Sequence, residues 1–243
     1  MSSPALLPVP DGHVLLTLVE REVVNPGLCR LHFHAPALAA ADDGQADDNV
    51  VLLFPAGDAA APAAERVYSV RARQGGNVVV DVHLHGPGVA TGWAVRAAPG
   101  DTLLARPLPR SGACARAAGY PHHVLLGDDS ALPLLGRWLE RLAEGISAEV
   151  FIEVADAAAR QALAEDADIA IQWLERNDFP ATESQLLEDA LTDYEVPDGI
   201  EDIDAVFFVI AGEAARSARM AQFLGQAWGV APEAIHLAAH WAA

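Results

Sequence analysis

Arg66-Val67-Tyr68-Ser69 and, further along, His85-Gly86-Pro87-Gly88-Val89-Ala90-Thr91-Gly92-Trp93 are the two stretches that decide the fold. The first is rich in β-branched and aromatic residues and predicts a strand, whereas the second is a glycine-rich turn that opens a helix. In a strand, Arg66 and Tyr68 share one face and Ser69 faces the other way. A guanidinium pairs with a phosphate, an aromatic ring lies against a flat ring, and a helix start presents free N–H groups to a pyrophosphate. Together the two stretches predict a site for a cofactor with a flat ring and a pyrophosphate.

The first half of the chain has the pattern of an antiparallel barrel. Six segments are β-branched or alternating and are bounded by Gly, Pro, Asn or Asp; they are residues 13–20, 28–34, 49–54, 66–73, 78–85 and 102–106. Gln74-Gly75-Gly76-Asn77 joins two of them as a hairpin. With one helix near residues 89–97, these strands predict a small closed six-stranded β-barrel.

The second half alternates between strands and helices. Continuous apolar strands, typical of a sheet buried on both faces, are predicted at residues 122–126, 149–154, 169–173, 206–210 and 235–239. Helical patterns lie between them, at residues 132–142, 158–164, 184–191 and 214–228. This alternation predicts a doubly wound parallel α/β sheet. With the boundary in the loop 110–121, we expect a barrel domain over residues 1–115 and an α/β domain over residues 116–243.

Composition excludes several classes of partner. The chain has 34 Asp and Glu against 15 basic residues, all of them Arg, and its formal net charge is -19. Binding to nucleic acid or to an anionic membrane needs clustered Lys and Arg, so neither partner is expected. No apolar run reaches the roughly 20 residues of a membrane span. Two cysteines without metal spacing and a start that lacks the features of a signal peptide favour a cytoplasmic protein.

A barrel followed by a parallel α/β domain is the layout of the ferredoxin-reductase-like flavoproteins, and the motifs narrow the resemblance. The chain resembles the siderophore-interacting protein family, whose members are FAD-dependent ferric-siderophore reductases. The resemblance covers nearly the whole chain and rests on four ordered matches. These are the strand 66–71, the strand and turn from Asp81 to Ala94, the run Gly127-Asp128-Asp129-Ser130-Ala131-Leu132-Pro133 and the turn Ala211-Gly212-Glu213-Ala214.

The resemblance implies where FAD binds. Arg66 is expected on the FAD phosphates, Tyr68 against the flavin ring and Ser69 on the polar edge of the ring. His85, at a strand end, is expected to make a polar contact to the flavin. The phosphate turn contributes Gly88, Ala90, Thr91 and Trp93. From the residues alone, an ordinary strand with a surface Arg and a plain loop-to-helix turn remain open.

A second site is expected at the start of the α/β domain. Gly127, Asp128 and Ser130 leave the first strand of this domain, and ligands of such folds collect at the carboxyl ends of the strands. The resemblance implies that NADPH or NADH passes here, with Gly212 and Glu213 at a neighbouring strand end. A plain N-cap is the alternative interpretation. Two residues after the second strand leave the choice between NADH and NADPH open. Asp156 suits a ribose diol, and Arg160 suits a phosphate.

The electron acceptor is the least constrained part of the prediction. The resemblance implies a ferric siderophore, yet position 51 is Val where a Lys is common in the family. Arg71, Arg106 and Arg110 are the remaining candidates for binding an anionic substrate. The acidic run 193–204 would repel an acidic ferredoxin, so a nicotinamide donor is favoured. A reductase of another small acceptor and a non-catalytic flavin- or siderophore-binding protein remain as alternatives, and no resident metal site is expected.

Overall fold

The computed structural model describes residues 9–38, 44–55, 64–84, 86–164, 166, 168–177 and 179–242. These residues divide into two compact units. The first consists of the described residues within 9–22, 29–44 and 48–109, and the second of those within 23–28, 45–47 and 110–242.

The first unit is a closed barrel, as predicted. Its strands are β1 (Val14–Asn25), β2 (Leu28–His34), β3 (Asn49–Phe54), β4 (Ala64–Gln74), β5 (Asn77–His83) and β6 (Thr102–Pro107). They follow one another around the barrel in the order β1-β2-β5-β4-β3-β6. The predicted hairpin is confirmed, because Gln74 pairs with Asn77 and Gly75 takes the left-handed conformation at φ 55°. Helix α1 (Val89–Arg96) comes between β5 and β6 along the chain.

The barrel core alternates along each strand. Cys29, Leu31 and Phe33 of β2 are fully buried, whereas the residues between them are at least partly exposed. Val78, Val80 and Val82 of β5 belong to the same core cluster. Period-two burial of this kind is what fixes the register of a barrel strand.

The second unit is a five-stranded parallel sheet with helices, which confirms the predicted fold class. Its strands are β7 (His122–Asp128), β8 (Ser147–Val154), β9 (Ile169–Glu175), β10 (Val206–Glu213) and β11 (Ile235–Trp241). Their order across the sheet is β11-β10-β7-β8-β9. The helices are α2 (Ala113–Ala117), α3 (Leu132–Glu140), α4 (Leu186–Thr192) and α5 (Ala214–Ala227). No helix in the described ranges is long and apolar enough to span a membrane.

Three details of the sequence prediction are wrong. The helix predicted over residues 158–164 is a single 3₁₀ turn, Ala157–Ala159, which the Asp156 side chain caps and which ends because the backbone is extended again at Arg160. Strands β9 and β11 are not buried on both faces, since they form the two edges of the sheet and carry exposed positions. The predicted boundary loop contains the short helix α2.

Candidate functional site

The pairing of β4 with β3 sets the direction of the predicted flavin-strand residues. Arg66 lies opposite Leu52 and Tyr68 opposite Val50, and both β3 residues belong to the barrel core. Because residues directly opposite each other point to the same face, Arg66 and Tyr68 point to the core side of the sheet. Tyr68 is half-buried against the core, whereas Arg66 is exposed. The strand therefore presents one aromatic ring and one cation on a single face.

An aromatic cluster connects β4 with helix α1. Phe54 contacts the Tyr68 ring edge-on with centroids 6.1 Å apart, and it contacts Trp93 of α1 at 5.9 Å. Trp93 also stacks on Phe33 at 6.2 Å. Burial raises the pKa of Tyr68 to about 12, although the charge of Arg66 acts against this rise. Tyr68 is therefore a neutral ring, fixed in place by packing, and Trp93 anchors α1 to the barrel.

The start of α1 has free capacity for an anion. Gly88 is the N-cap residue and is extended, no side chain among the described residues caps the helix, and the first turn holds no acidic residue. Four N–H groups at a helix start have no partner within the helix, and they favour negative charge. A methyl group at Gly88 would meet nothing closer than 4.0 Å, so the backbone is open to close approach.

Arg66 adds a second anion-binding group. Among the described residues its guanidinium donates only to the carbonyl oxygen of Glu65, at 2.8 Å. The remaining donors are available to a phosphate. Arg66, Tyr68 and the uncapped helix start supply the donor set that a dinucleotide with a flat ring requires, so these residues fit FAD.

Several predicted residues of the barrel already have contacts of their own. Ser69 is buried and its hydroxyl donates to Asn49 Oδ1 at 3.2 Å, on the sheet face opposite Arg66 and Tyr68. Arg106 forms an ion pair with Glu65, with 3.2 Å between Nη2 and Oε2. Arg71 is half-buried where the pairing of β4 with β5 shifts register. Arg110 belongs to the second unit, and His85 lies outside the described residues.

The predicted residues of the α/β unit meet at the point where the strand order reverses. β7 is the first strand, β8 and β9 follow on one side of it, and β10 and β11 lie on the other. Gly127 and Asp128 end β7, and Gly212 and Glu213 end β10, its direct neighbour. The crevice at such a switch point is where open parallel sheets bind ligands.

Asp128 ties this edge together. The side chain is buried, and Oδ1 accepts hydrogen bonds from the backbone N–H and the hydroxyl of Ser130. Its other oxygen, Oδ2, accepts from Glu213 N at 3.2 Å and from Trp241 Nε1 at 2.9 Å. A Cβ atom on Gly212, whose φ is 141°, would lie 2.5 Å from Oδ2. Position 212 therefore has to be glycine, because any side chain there would collide with the Asp128 carboxylate.

Two further polar side chains at this edge, Glu213 and His240, also form hydrogen bonds to the backbone. Glu213 caps α5, and its carboxylate accepts from the backbone N–H groups of Ala215 and Arg216. On β11, His240 Nδ1 lies 2.9 Å from the carbonyl oxygen of Ser130. Burial lowers the pKa of His240. Because a carbonyl oxygen only accepts, Nδ1 donates and His240 carries its proton there.

A buried ion network extends the edge towards β8 and β9. Glu153, near the end of β8, has a fully buried side chain that meets Arg176 at 3.2 Å and Arg216 at 2.8 Å. Ser184 Oγ also donates to this carboxylate, at 2.8 Å. Arg176 in turn binds both carboxylate oxygens of Asp129. Burial alone would lower the pKa of Arg176, but the hydrogen bonds and charges of Asp129 and Glu153 raise it.

Two family models match the chain, one in each of its two halves. Residues 120–243, just over half of the chain, match the family model described as siderophore-interacting protein. The chain belongs to the siderophore-interacting protein family. Residues 58–107 match the siderophore-interacting FAD-binding domain, so the strand that carries Arg66 and Tyr68 and the start of α1 both lie inside it.

Named relatives of this siderophore-interacting protein span most of its length. Ferric vibriobactin reductase of Vibrio cholerae is 26% identical over 247 residues, which cover 93% of this chain and 88% of the relative. The NADPH-dependent ferric-chelate reductase of Escherichia coli is 26% identical over 246 residues, or 93% and 91% of the two chains. The crystal structure of a siderophore utilization protein from T. fusca superposes with a TM-score of 0.81 at 27% identity, covering 95% and 92%.

Sequence reasoning missed the two acidic residues that organise the charges of this family member. Glu65 accepts from Arg66 through its carbonyl oxygen and from Arg106 through its carboxylate, and its position on β4 directly before Arg66 gave no signal. Glu153 did give one. It stands between the buried apolar residues Val150-Phe151-Ile152 and the buried Val154, and an acidic residue there needs partners.

Proposed function

We propose that this protein is an FAD-dependent reductase that transfers electrons from a nicotinamide dinucleotide to a ferric siderophore and so releases Fe²⁺. The single observation that carries the proposal is the combination in the barrel unit of an exposed Arg66, a fixed Tyr68 ring and an uncapped α1 start. The match to an FAD-binding domain and the names of the two reductase relatives support it.

In this proposal the residues of the barrel hold FAD. Arg66 and the first N–H groups of α1 bind the pyrophosphate, and Tyr68 lies along the ring system. Gly88 and Ala90 allow close approach, and Thr91 adds a hydroxyl. FAD supplies the conversion between two-electron and one-electron transfer. The protein contributes binding and orientation, so no acid–base residue is required.

The α/β unit is proposed to receive the nicotinamide dinucleotide at the β7–β10 switch point. Gly127 lets the helical segment with Ala131 and Leu135 pack closely on the end of β7, and Asp128 holds the ends of β7 and β10 at a fixed spacing. A rigid edge positions the donor without further ordering of the protein on binding. The functional division thus follows the expected domains, with FAD in residues 1–115 and the nicotinamide dinucleotide in residues 116–243.

The acceptor is proposed to be a ferric chelate. One electron reduces Fe³⁺ to Fe²⁺, and the lower charge weakens its attraction to hard oxygen ligands, so the siderophore lets the metal go. Arg71 and Arg106 of the barrel unit are the proposed contacts for an anionic chelate. Ferredoxin is not proposed as the donor, because the protein and a typical ferredoxin are both strongly acidic.

An absorbance spectrum of the purified protein, before and after anaerobic addition of NADH or NADPH, tests the proposal. We expect the band of oxidised flavin at roughly 450 nm, its loss on addition of the dinucleotide and its return on addition of a ferric chelate. A band that neither dinucleotide bleaches would contradict the donor and favour a flavin-binding protein without reductase activity. A colourless protein that does not take up added FAD would overturn the whole proposal.

A further inference from the structure

The cations at the carboxyl edge of the parallel sheet show which dinucleotide this edge suits. The chain has no Lys, and all of its Arg residues lie in the described ranges. Arg160 and Arg176 follow the ends of β8 and β9, and Arg216 and Arg219 lie in the first two turns of α5, directly after β10. In this fold, an Arg near the ribose recognises the 2′-phosphate of NADP, whereas an acidic residue binds the 2′-hydroxyl of NAD.

Each of these four guanidinium groups already lies against a carboxylate. Arg160 Nη2 is 2.6 Å from Glu175 Oε1, and Arg219 Nη2 is 3.7 Å from Glu188 Oε1. Arg176 binds Asp129 and Glu153, and Arg216 binds Glu153 and Glu188. In the described part of the edge, no guanidinium is left without an acidic neighbour.

The two inner arginines cannot turn to a phosphate. The side chains of Arg176 and Arg216 are only 9% and 6% exposed, and Glu153 between them is fully buried. Withdrawing either guanidinium would leave that carboxylate with less compensation in a low-dielectric interior, which is strongly unfavourable. Recruitment of a 2′-phosphate therefore depends on the outer arginines.

Arg160 is the outer arginine closest along the chain to the predicted ribose position. Its side chain is 45% exposed, so it would reach a 2′-phosphate if it were not paired with Glu175. Asp156 stands four residues earlier, exposed, two residues after the end of β8. One of its oxygens accepts from Ala158 N at 2.8 Å, and a carboxylate at this point suits a ribose diol and repels a phosphate.

We infer that the electron donor is NADH rather than NADPH, and that Glu175 is a specificity-determining residue because it occupies Arg160. The inference rests on the proposed function and names the donor for that site. It also separates this chain from the E. coli relative, whose name specifies NADPH.

Isothermal titration with the oxidised dinucleotides NAD⁺ and NADP⁺ tests the inference without turnover. For the unchanged protein we expect NAD⁺ to bind about tenfold more tightly or better, because the 2′-phosphate meets an acidic edge. In Glu175→Gln, Arg160 loses its charged partner, and the affinity for NADP⁺ should rise by about fivefold while that for NAD⁺ stays constant. Adding Arg160→Gln to this variant should abolish the gain.

Glu144→Gln is the matched control. It removes one exposed carboxylate in the turn after α3, a helix that starts at the ligand edge and therefore ends at the opposite one, so the NAD⁺ to NADP⁺ ratio should not move. Tighter binding of NADP⁺ to the unchanged protein would overturn the inference, and flavin bleaching by NADPH would then leave the proposed function intact. If neither dinucleotide bound or bleached the flavin, the proposed donor site itself would be refuted.

Discussion

The barrel unit and the α/β unit use their charged groups in opposite ways. In the barrel, Arg66 is exposed and the start of α1 has no side-chain cap among the described residues. At the edge of the α/β sheet, Asp128 accepts from three residues and Glu153 compensates two arginines, and both side chains are buried. The polar groups of the barrel site still have hydrogen-bond donors to offer a ligand, whereas those of the α/β edge are occupied by partners within the protein.

The exposed groups of the barrel are therefore able to bind a ligand, whereas the buried groups of the α/β edge stabilise the backbone around the site. Exposed donors are solvated in the free protein and lose little until a phosphate replaces the water. Buried charges must be paired at all times, so they hold the backbone rigid and contribute nothing directly to binding. We therefore expect changes in the α/β edge to affect stability first, and changes in the barrel site to affect cofactor retention first.

The largest effect is expected from Glu153→Gln. The neutral side chain leaves Arg176 and Arg216 buried with less negative charge, and breaking such a network costs about 3–5 kcal/mol of unfolding free energy. Chemical denaturation followed by circular dichroism measures the change. Arg106→Gln, which breaks the exposed pair with Glu65 in the barrel, is the matched control and should cost at most about 1 kcal/mol. Equal losses in the two variants would remove the contrast between the units.

A slightly smaller loss is expected from Gly212→Ala. The added Cβ would lie 2.5 Å from Asp128 Oδ2, and the φ of 141° is strained for any residue with a side chain. The two effects together should cost about 3 kcal/mol of unfolding free energy. Gly199→Ala separates them, because its φ is 94° with no atom within 4 Å, and strain alone should cost about 1 kcal/mol. If the two variants were equally stable, the close approach to Asp128 would not be what requires Gly212.

Arg66→Ala is expected to act on the cofactor and not on the fold. Losing a charge-assisted contact to a phosphate should weaken FAD binding by about 10- to 100-fold, and the unfolding free energy of the apoprotein should stay within about 0.5 kcal/mol. Flavin content after gel filtration and titration of the apoprotein with FAD measure both. Arg96→Ala removes an exposed Arg from the last turn of α1, at the helix end opposite to the proposed pyrophosphate contact, and should leave FAD binding unchanged. Full flavin occupancy in Arg66→Ala would refute the proposed phosphate contact.

The sequence predicted the two units well because their signals are local. The strand at residues 206–210 is a continuous apolar run, and its length and β-branched and aromatic residues settle its type without help from the rest of the chain. The helix expected at residues 158–164 failed for the opposite reason. Its Ala-rich sequence favours a helix, but the backbone becomes extended at Arg160, whose side chain pairs with Glu175 at the end of β9, a contact that local sequence does not report.

The candidate site likewise has a part that could be predicted from local sequence and a part that could not. Arg66, Tyr68 and the start of α1 were predicted from the order of two short stretches along the chain, and their roles remain predictions. The network around Glu153 was missed because its members come from β8, the end of β9, α4 and the start of α5, which are far apart in sequence. No residue spacing reports such a cluster. Only the acidic residue inside a buried strand pointed to it.

Acidification should weaken the α/β unit through its buried histidines. Burial lowers the pKa of His122, His123 and His236, so the folded state binds fewer protons than the unfolded state. Stability is then full above the unfolded pKa of about 6.5 and falls as the pH drops from there towards the folded pKa values. His236→Phe keeps a ring stacked on Trp138 and should reduce the loss of unfolding free energy between neutral and mildly acidic pH, measured by chemical denaturation at both pH values. An unchanged pH profile in this variant would show that His236 does not contribute.

The smallest effect is expected at Glu65 and tests whether the barrel cations are held back from the acceptor. Its carboxylate pairs with Arg106, so Glu65→Gln frees one exposed guanidinium. The KM for an anionic ferric chelate should fall by about two- to fivefold and that for an uncharged chelate should not change, since an exposed pair contributes little. Added salt should erase the gain. Glu20→Gln, an exposed carboxylate on β1, gives the matched change in net charge. If it lowered the KM equally, the overall charge of the protein, and not the pairing of Arg106, would set the preference among acceptors.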